Sequence, residues 1–147
     1  MKIIVESANA PRYMSFNSES LNAIELAGGK FELGNSSLLI EDLVCGDIVE
    51  AYQSASGTLT YANLVTRGSF SALRIFSRNT AFNFIYQFCK EMDALGAGSS
   101  AHEQLGLALI TVPHEVDFWH IDAQARRRFG SDCIFKRMAV RHQKPCL

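Results

Sequence analysis

The sequence predicts an α+β protein whose two halves are built differently, and three observations carry that expectation. Up to about Ser77 the apolar residues recur with a period of two, the mark of half-buried strands. From Phe82 the period lengthens, with Phe82, Ile85, Cys89 and Met92 at i, i+3, i+7 and i+10, one face of a helix. Glycine-bearing turns punctuate the first half, where Gly28-Gly29 separates two apolar runs and can take positive φ at both positions without steric cost.

The elements follow in order. Lys2–Glu6 reads as a strand, followed by a polar loop from Ser7 to Ser18. Leu21–Ala27 and Lys30–Leu33 flank the Gly-Gly hairpin, and a further strand is expected at Ser37–Ile40. Asp47–Gln53 and Thr58–Thr66 form a second hairpin about Ser54-Ala55-Ser56-Gly57, and Phe70–Ser77 alternates as another strand. Asn79 or Thr80 suits the N-cap of the first helix, and Gly96-Ala97-Gly98 its stop. Phe84 and Phe88 widen that helix's apolar stripe. Leu105–Val112, closed by Pro113, should be a central strand covered on both faces. A second helix is expected from about His114 to Arg128, stopped by Gly130, and a last strand at Cys133–Val140 before the tail Arg141–Leu147. The division is a strand-rich lobe over residues 1–69, a small bent sheet or SH3-like barrel, and a β-α-β-α-β lobe over residues 70–147 resembling part of a ferredoxin-like fold. The two are expected to form one compact unit.

Composition narrows the class. The chain has 147 residues, 48% hydrophobic and 20% charged with three prolines, which excludes disordered, collagenous and coiled-coil proteins. Its apolar runs fall short of the roughly 18 residues of a membrane span, so no membrane partner is expected. Met1-Lys2-Ile3-Ile4-Val5-Glu6 reads as a first strand because the acid interrupts the apolar run, and Cys45, Cys89, Cys133 and Cys146 have no Cys-x-x-Cys spacing. Reduced thiols and a cytoplasmic location are the expectation.

No residue pattern spells out catalysis. His114 and His120, six apart on the expected helix, point about 240° apart and cannot share a metal, and His142 with Cys146 lies in a tail carrying Pro145. No metal and no cofactor are expected. Cys89 reads as a core thiol, and Cys45 before Gly46 is the more exposed one, for which His102 is the only loop histidine that could serve as base. Gly96-Ala97-Gly98-Ser99-Ser100 has phosphate-loop glycines, but it follows a helix and leads to a strand, the reverse of a phosphate cradle.

Charge is the most informative feature. Up to Ser69 four basic residues face eight acidic ones, whereas from Phe70 ten basic residues face seven acidic. Glu41, Asp42, Asp47 and Glu50 crowd into ten residues around a turn expected to be exposed, and are the candidate partner-binding residues. The basic end holds Arg126-Arg127-Arg128, Lys136, Arg137, Arg141 and Lys144, with only Phe129 and Phe135 near and both expected in the core. Nucleic acid is therefore not the favoured partner, because recognition of single strands needs stacking aromatics among the cations.

The passage Ile40-Glu41-Asp42-Leu43-Val44-Cys45-Gly46-Asp47-Ile48-Val49-Glu50-Ala51, after a Gly-Gly hairpin and before a helix–strand–helix half, resembles a family of small bacterial proteins known as a domain of unknown function. The resemblance spans about Glu19 to Ile134, and it implies no catalytic residues. Small proteins of this look often accompany polymorphic toxins as immunity proteins. The expected function is thus a non-catalytic binding protein, an immunity protein that occludes a cognate toxin such as a nuclease, with opposite charge speeding association. A small enzyme or ligand-binding domain with a cleft between the lobes is the alternative, and nucleic-acid binding through the basic C-terminal region a second one.

Overall fold

The computed structural model describes residues 1–7, 10, 11 and 13–145. It is a mixed α+β protein of nine strands and two helices among those residues, divided into two compact units, residues 1–68 and 69–147.

The first unit is a closed barrel of five strands: β1 (Lys2–Glu6), β2 (Ser18–Glu25), β3 (Lys30–Leu33), β4 (Ile48–Gln53) and β5 (Leu59–Thr66). Successive strands pair antiparallel, and β1 closes the ring against β5 through a parallel pairing of Ile4 with Thr60. Closure settles the choice between an open bent sheet and a barrel, and it removes the exposed edges an open sheet would present. Ile3, Val5, Leu21, Ala23, Phe31, Leu33 and Val49 alternate inward along their strands to fill it, with Leu43 from the β3–β4 connection. Gly28 and Gly29 both take positive φ (78° and 72°), the conformation that the tight β2–β3 turn requires.

Ser37–Ile40 is not a strand. The Ser37 hydroxyl accepts the Leu39 and Ile40 amides at 3.1 and 2.8 Å, and the Glu19 carboxylate accepts the Leu38 and Leu39 amides at 2.9 and 3.2 Å. Side chains thus take the hydrogen bonds a strand ladder would have taken.

The second unit runs β6 (Ser71–Ser77), α1 (Phe82–Ala94), β7 (Gly98–His102), β8 (Leu107–Val112), α2 (Phe118–Phe129) and β9 (Cys133–Ala139). Its four-stranded sheet has the order β7-β8-β6-β9, with every neighbouring pair antiparallel. Leu73, Ile75, Ala108, Ile110 and Val112 of the sheet form one core with Ile85, Phe88, Cys89 and Met92 of α1 and Phe118, Ile121, Ala125 and Phe129 of α2. The α1 stripe is as the spacing requires, except that Phe84 stays exposed.

Several boundaries differ. β7 is a strand where the sequence reads as connection: a Gly-Ser-Ser run carries no apolar alternation, and pairing with β8 makes it a strand. Ala81, not Asn79 or Thr80, occupies the N-cap of α1, because the Arg78 and Asn79 amides are engaged by the Asp132 carbonyl at 3.1 and 2.9 Å. α2 starts at Phe118 rather than near His114, capped by the Asp117 carboxylate on the His120 amide at 3.1 Å. Its last turn holds Arg126, Arg127 and Arg128, cations placed where the carbonyl end of the helix dipole favours them.

Candidate functional site

The four carboxylates singled out by the sequence do not share one exposed turn. Asp47 is wholly buried (0% exposed): its Oδ2 accepts the Val44 amide at 3.0 Å and its Oδ1 the Gly68 amide at 2.8 Å. A carboxylate answered by backbone donors is a clamp, so an exposed role for Asp47 is ruled out. Gly68 fits the same clamp, since a Cβ there would meet the Gly46 carbonyl oxygen at 3.0 Å. Asp42 is half-buried with φ of 62° and forms an ion pair with Arg67 (Oδ2 to Nη2 2.6 Å). Glu41 and Glu50 are exposed, the latter accepting from the Asn63 amide nitrogen at 3.2 Å.

Register supplies what the sequence reading missed. Ile24 is the cross-strand partner of Glu32, Lys30 is the partner of Glu50, and the Leu26 amide donates to the Lys30 carbonyl at 2.8 Å. Partners opposite one another, and residues two apart in a strand, share a face. The outer wall of β2–β4 therefore sets exposed Ile24 (64%) and Leu26 beside Lys30, Glu32 and Glu50, with Tyr52 (56% exposed) further along β4. Pairwise alternation of Glu32 with Ile24 across two strands is the signal that would have revealed it.

The thiols are quiet. Burial pushes Cys89 up to about 11, and burial raises Cys133 as well, against the lowering effect of its hydrogen bond with Thr80. Burial and the carboxylates of Glu32 and Asp47 raise half-buried Cys45, which keeps it protonated and poorly nucleophilic. Cys146 lies outside the described residues. Among the described residues no three His, Cys, Asp or Glu side chains gather as a metal site, and no helix is long and apolar enough to cross a membrane.

His142 is not a loose tail residue. Its Nδ1 lies 2.6 Å from the Ser71 hydroxyl and its Nε2 2.8 Å from the Pro113 carbonyl, while the Ser71 oxygen also accepts the Arg141 and His142 amides at 2.7 and 3.2 Å. A carbonyl only accepts, so Nε2 carries the proton and Nδ1 receives the serine's. His114 comes near it, ring centroids 6.0 Å apart, from a turn outside α2. The second unit also holds a hollow of about 450 Å³ lined by Asn79, Thr80, Phe84, Gln87, Glu91 and Arg128.

The basic end departs most from expectation. Asp122 on α2 is 4% exposed and takes Arg126 Nε at 3.0 Å and both Nε and Nη2 of Arg137 at 3.2 and 2.9 Å. Burial pushes its carboxyl up, but the hydrogen bonds and charges of the two arginines outweigh burial and hold it below the usual carboxylate range. Arg126 lies over Phe135 (5.2 Å to the ring centroid), and Arg137 and Lys144 lie over Trp119 (5.0 and 5.7 Å). Aromatics do accompany these cations.

A closed five-stranded barrel and a four-stranded antiparallel sheet with two helices define a small two-unit α+β protein. The chain belongs to the family described as Domain of unknown function (DUF4265), whose profile matches residues 19–129. The resemblance read at Gly46–Ala51 is met at the level of such a family. No curated protein matches the sequence. In structure the chain is similar to a hypothetical protein from Neisseria gonorrhoeae, at 12% identity over 94% of this chain and 93% of that one, with a TM-score of 0.71, a likeness of fold.

Proposed function

We propose that the chain is a non-catalytic binding protein that docks a cationic protein through the outer wall of its barrel. The observation that carries this reading is the register of β2–β4, which gathers exposed Ile24, Leu26 and Tyr52 with Glu32 and Glu50. Exposed apolar groups beside carboxylates, here Glu32 and Glu50 with Lys30 opposite Glu50, let a protein surface combine anchoring with steering. In its most specific form the reading is that of an immunity protein occluding a toxin, such as a nuclease, whose own groove must be basic to hold its substrate. We further infer that the first unit is of the SH3-like kind and that the order β-α-β-β-α-β with sheet order β7-β8-β6-β9 makes the second a ferredoxin-like unit, a scaffold that serves many functions.

The test is an association-rate series in increasing salt between this chain and purified basic nuclease-toxin domains, with Glu32→Lys and Glu50→Lys variants. Both variants should fold and melt as the parent does, since exposed charges contribute little to stability. Their on-rates should fall about tenfold at low salt and converge with the parent at high salt. Equal on-rates at low salt, or no binding by the parent, would overturn the reading.

A further inference from the structure

One seam in the second unit combines charge and aromatic rings in a way the barrel surface does not. α2 presents Trp119, Asp122 and Arg126 at i, i+3 and i+7, one stripe, and β9 presents Phe135 and Arg137 two residues apart on one face. Asp122 ties the stripe to the strand by bonding Arg126 and Arg137 together. The row reads Phe135, Arg126, Asp122, Arg137, Trp119, Lys144, with both arginine side chains about two-fifths exposed and Lys144 exposed.

What each group has left to offer decides the partner. Arg137 spends its Nε–Nη2 edge and Arg126 its Nε on Asp122, so each cation already carries a carboxylate and offers a partner its outer Nη end and its flat face. The flat side of Arg137 is backed by Trp119, and Arg126 stands likewise over Phe135. Guanidinium planes and aromatic rings stack on nucleobases, which an acidic peptide lacks. Lys144 beside them is a point charge suited to phosphate. We propose that this seam binds single-stranded nucleic acid, with unstacked bases against Arg126 and Arg137 and the backbone drawn by Lys144. The site lies in a different unit from the barrel wall, so each can fail without the other.

Trp119 is the chain's only tryptophan, so its emission reports the seam directly. The full chain is titrated with fluorescein-labelled single-stranded RNA and DNA 12-mers of mixed sequence, with the matching duplexes, and with poly-glutamate as competitor, following both anisotropy and tryptophan emission. Single strands should bind and quench Trp119, and each log unit of salt should lower affinity by about 0.7 log units per phosphate contacted. Arg126→Ala should weaken binding about tenfold and Lys144→Ala a few-fold, whereas Lys90→Ala, an exposed cation of α1, should change nothing. Thermal melts of the variants confirm folding, and Lys144→Ala leaves Asp122 with both arginines should Arg126→Ala melt early. Equal affinity for duplexes, equal competition by poly-glutamate, an equal effect of Lys90→Ala, or no binding in low salt would each overturn the proposal.

Discussion

The Asp47 carboxylate accepts the Gly68 amide at 2.8 Å, joining the start of β4 to the chain that has just left β5, 21 residues on. With its other oxygen on the Val44 amide, Asp47 closes the long β3–β4 connection over the barrel end. The connection holds further bonds of the same kind, among them Ser36 on the Cys45 amide at 3.0 Å. A buried acceptor answered by two donors is worth keeping, and removing it strands both amides. Asp47→Asn should therefore lower stability by about 1–3 kcal/mol, because one amide N–H must then face an NH₂ group. Asp47→Lys should not yield folded protein. Chemical denaturation followed by circular dichroism checks both, with Glu41→Lys as the exposed control that leaves the midpoint unchanged.

Gly68 gives a second prediction at the same clamp. A methyl group there would stand 3.0 Å from the Gly46 carbonyl oxygen and 3.4 Å from the Asp47 carboxylate, so backbone must move. Gly68→Ala should cost about 1–3 kcal/mol by overpacking. Gly28→Ala meets no atom within 4 Å and should cost only the strain of its positive φ, about 1 kcal/mol. Urea midpoints of the two variants measured together should rank them in that order.

Asp122 contributes to the acid sensitivity of the second unit. Its carboxyl is held below the usual range in the folded protein, so the unfolded chain takes up a proton first as pH falls. The stabilisation is complete above the ordinary aspartate pKa of about 4 and is lost as pH drops through the lower folded value. Asp122→Asn should remove about 1.5–3 kcal/mol at pH 7, the worth of hydrogen bonds to a charged group. It should also flatten the fall in melting temperature between about pH 5 and 2. A melting series across that range, parent against variant, reads both effects.

Thiol chemistry separates the cysteines. Cys89 is buried and pushed up to about 11, and Cys133 is buried and raised. In a Cys146→Ser background at pH 8, an aromatic disulfide reagent should label Cys45 slowly and spare the other two until denaturant is added. Prompt native labelling of Cys89 would contradict its place on the buried stripe of α1.

Local signals were legible in the sequence. The Gly28-Gly29 hairpin, the i, i+3, i+7 stripe of α1 and the apolar run of β8 depend on residues close in the chain, and each appears within a few residues of its expected bounds. What was not legible depends on residues far apart. Asp47 looks like its exposed neighbours until the Gly68 amide is brought beside it. Trp119 has no cation near it in sequence, and only the pairing of β9 with β6 delivers Arg137 to its face. β7 lacked a signal of its own, since a Gly-Ser-Ser strand is defined by its partner β8 alone.

The longest such link is Ser71 to His142, 71 residues apart, and it carries the last prediction. Ser71 is fully buried, and its oxygen takes the Arg141 and His142 amides while its proton goes to His142 Nδ1. One hydroxyl thus anchors the segment after β9 to the start of β6. Trp119 belongs to the same knot, because its Nε1 donates to the His142 carbonyl at 3.4 Å. Ser71→Ala keeps the size and strand geometry of the site but leaves two half-buried amides without this acceptor, a cost of about 1–3 kcal/mol. The segment should then detach at lower cost than the unit unfolds, so two readouts should separate. Hydrogen exchange at Arg141 and His142 should accelerate strongly, and Trp119 emission should shift to the red as its face meets water, while the far-ultraviolet dichroism and the core amides of β6 and β8 keep their parent behaviour. Unchanged exchange at Arg141 and His142 in the variant would show that other contacts hold the segment and that Ser71 is not its anchor.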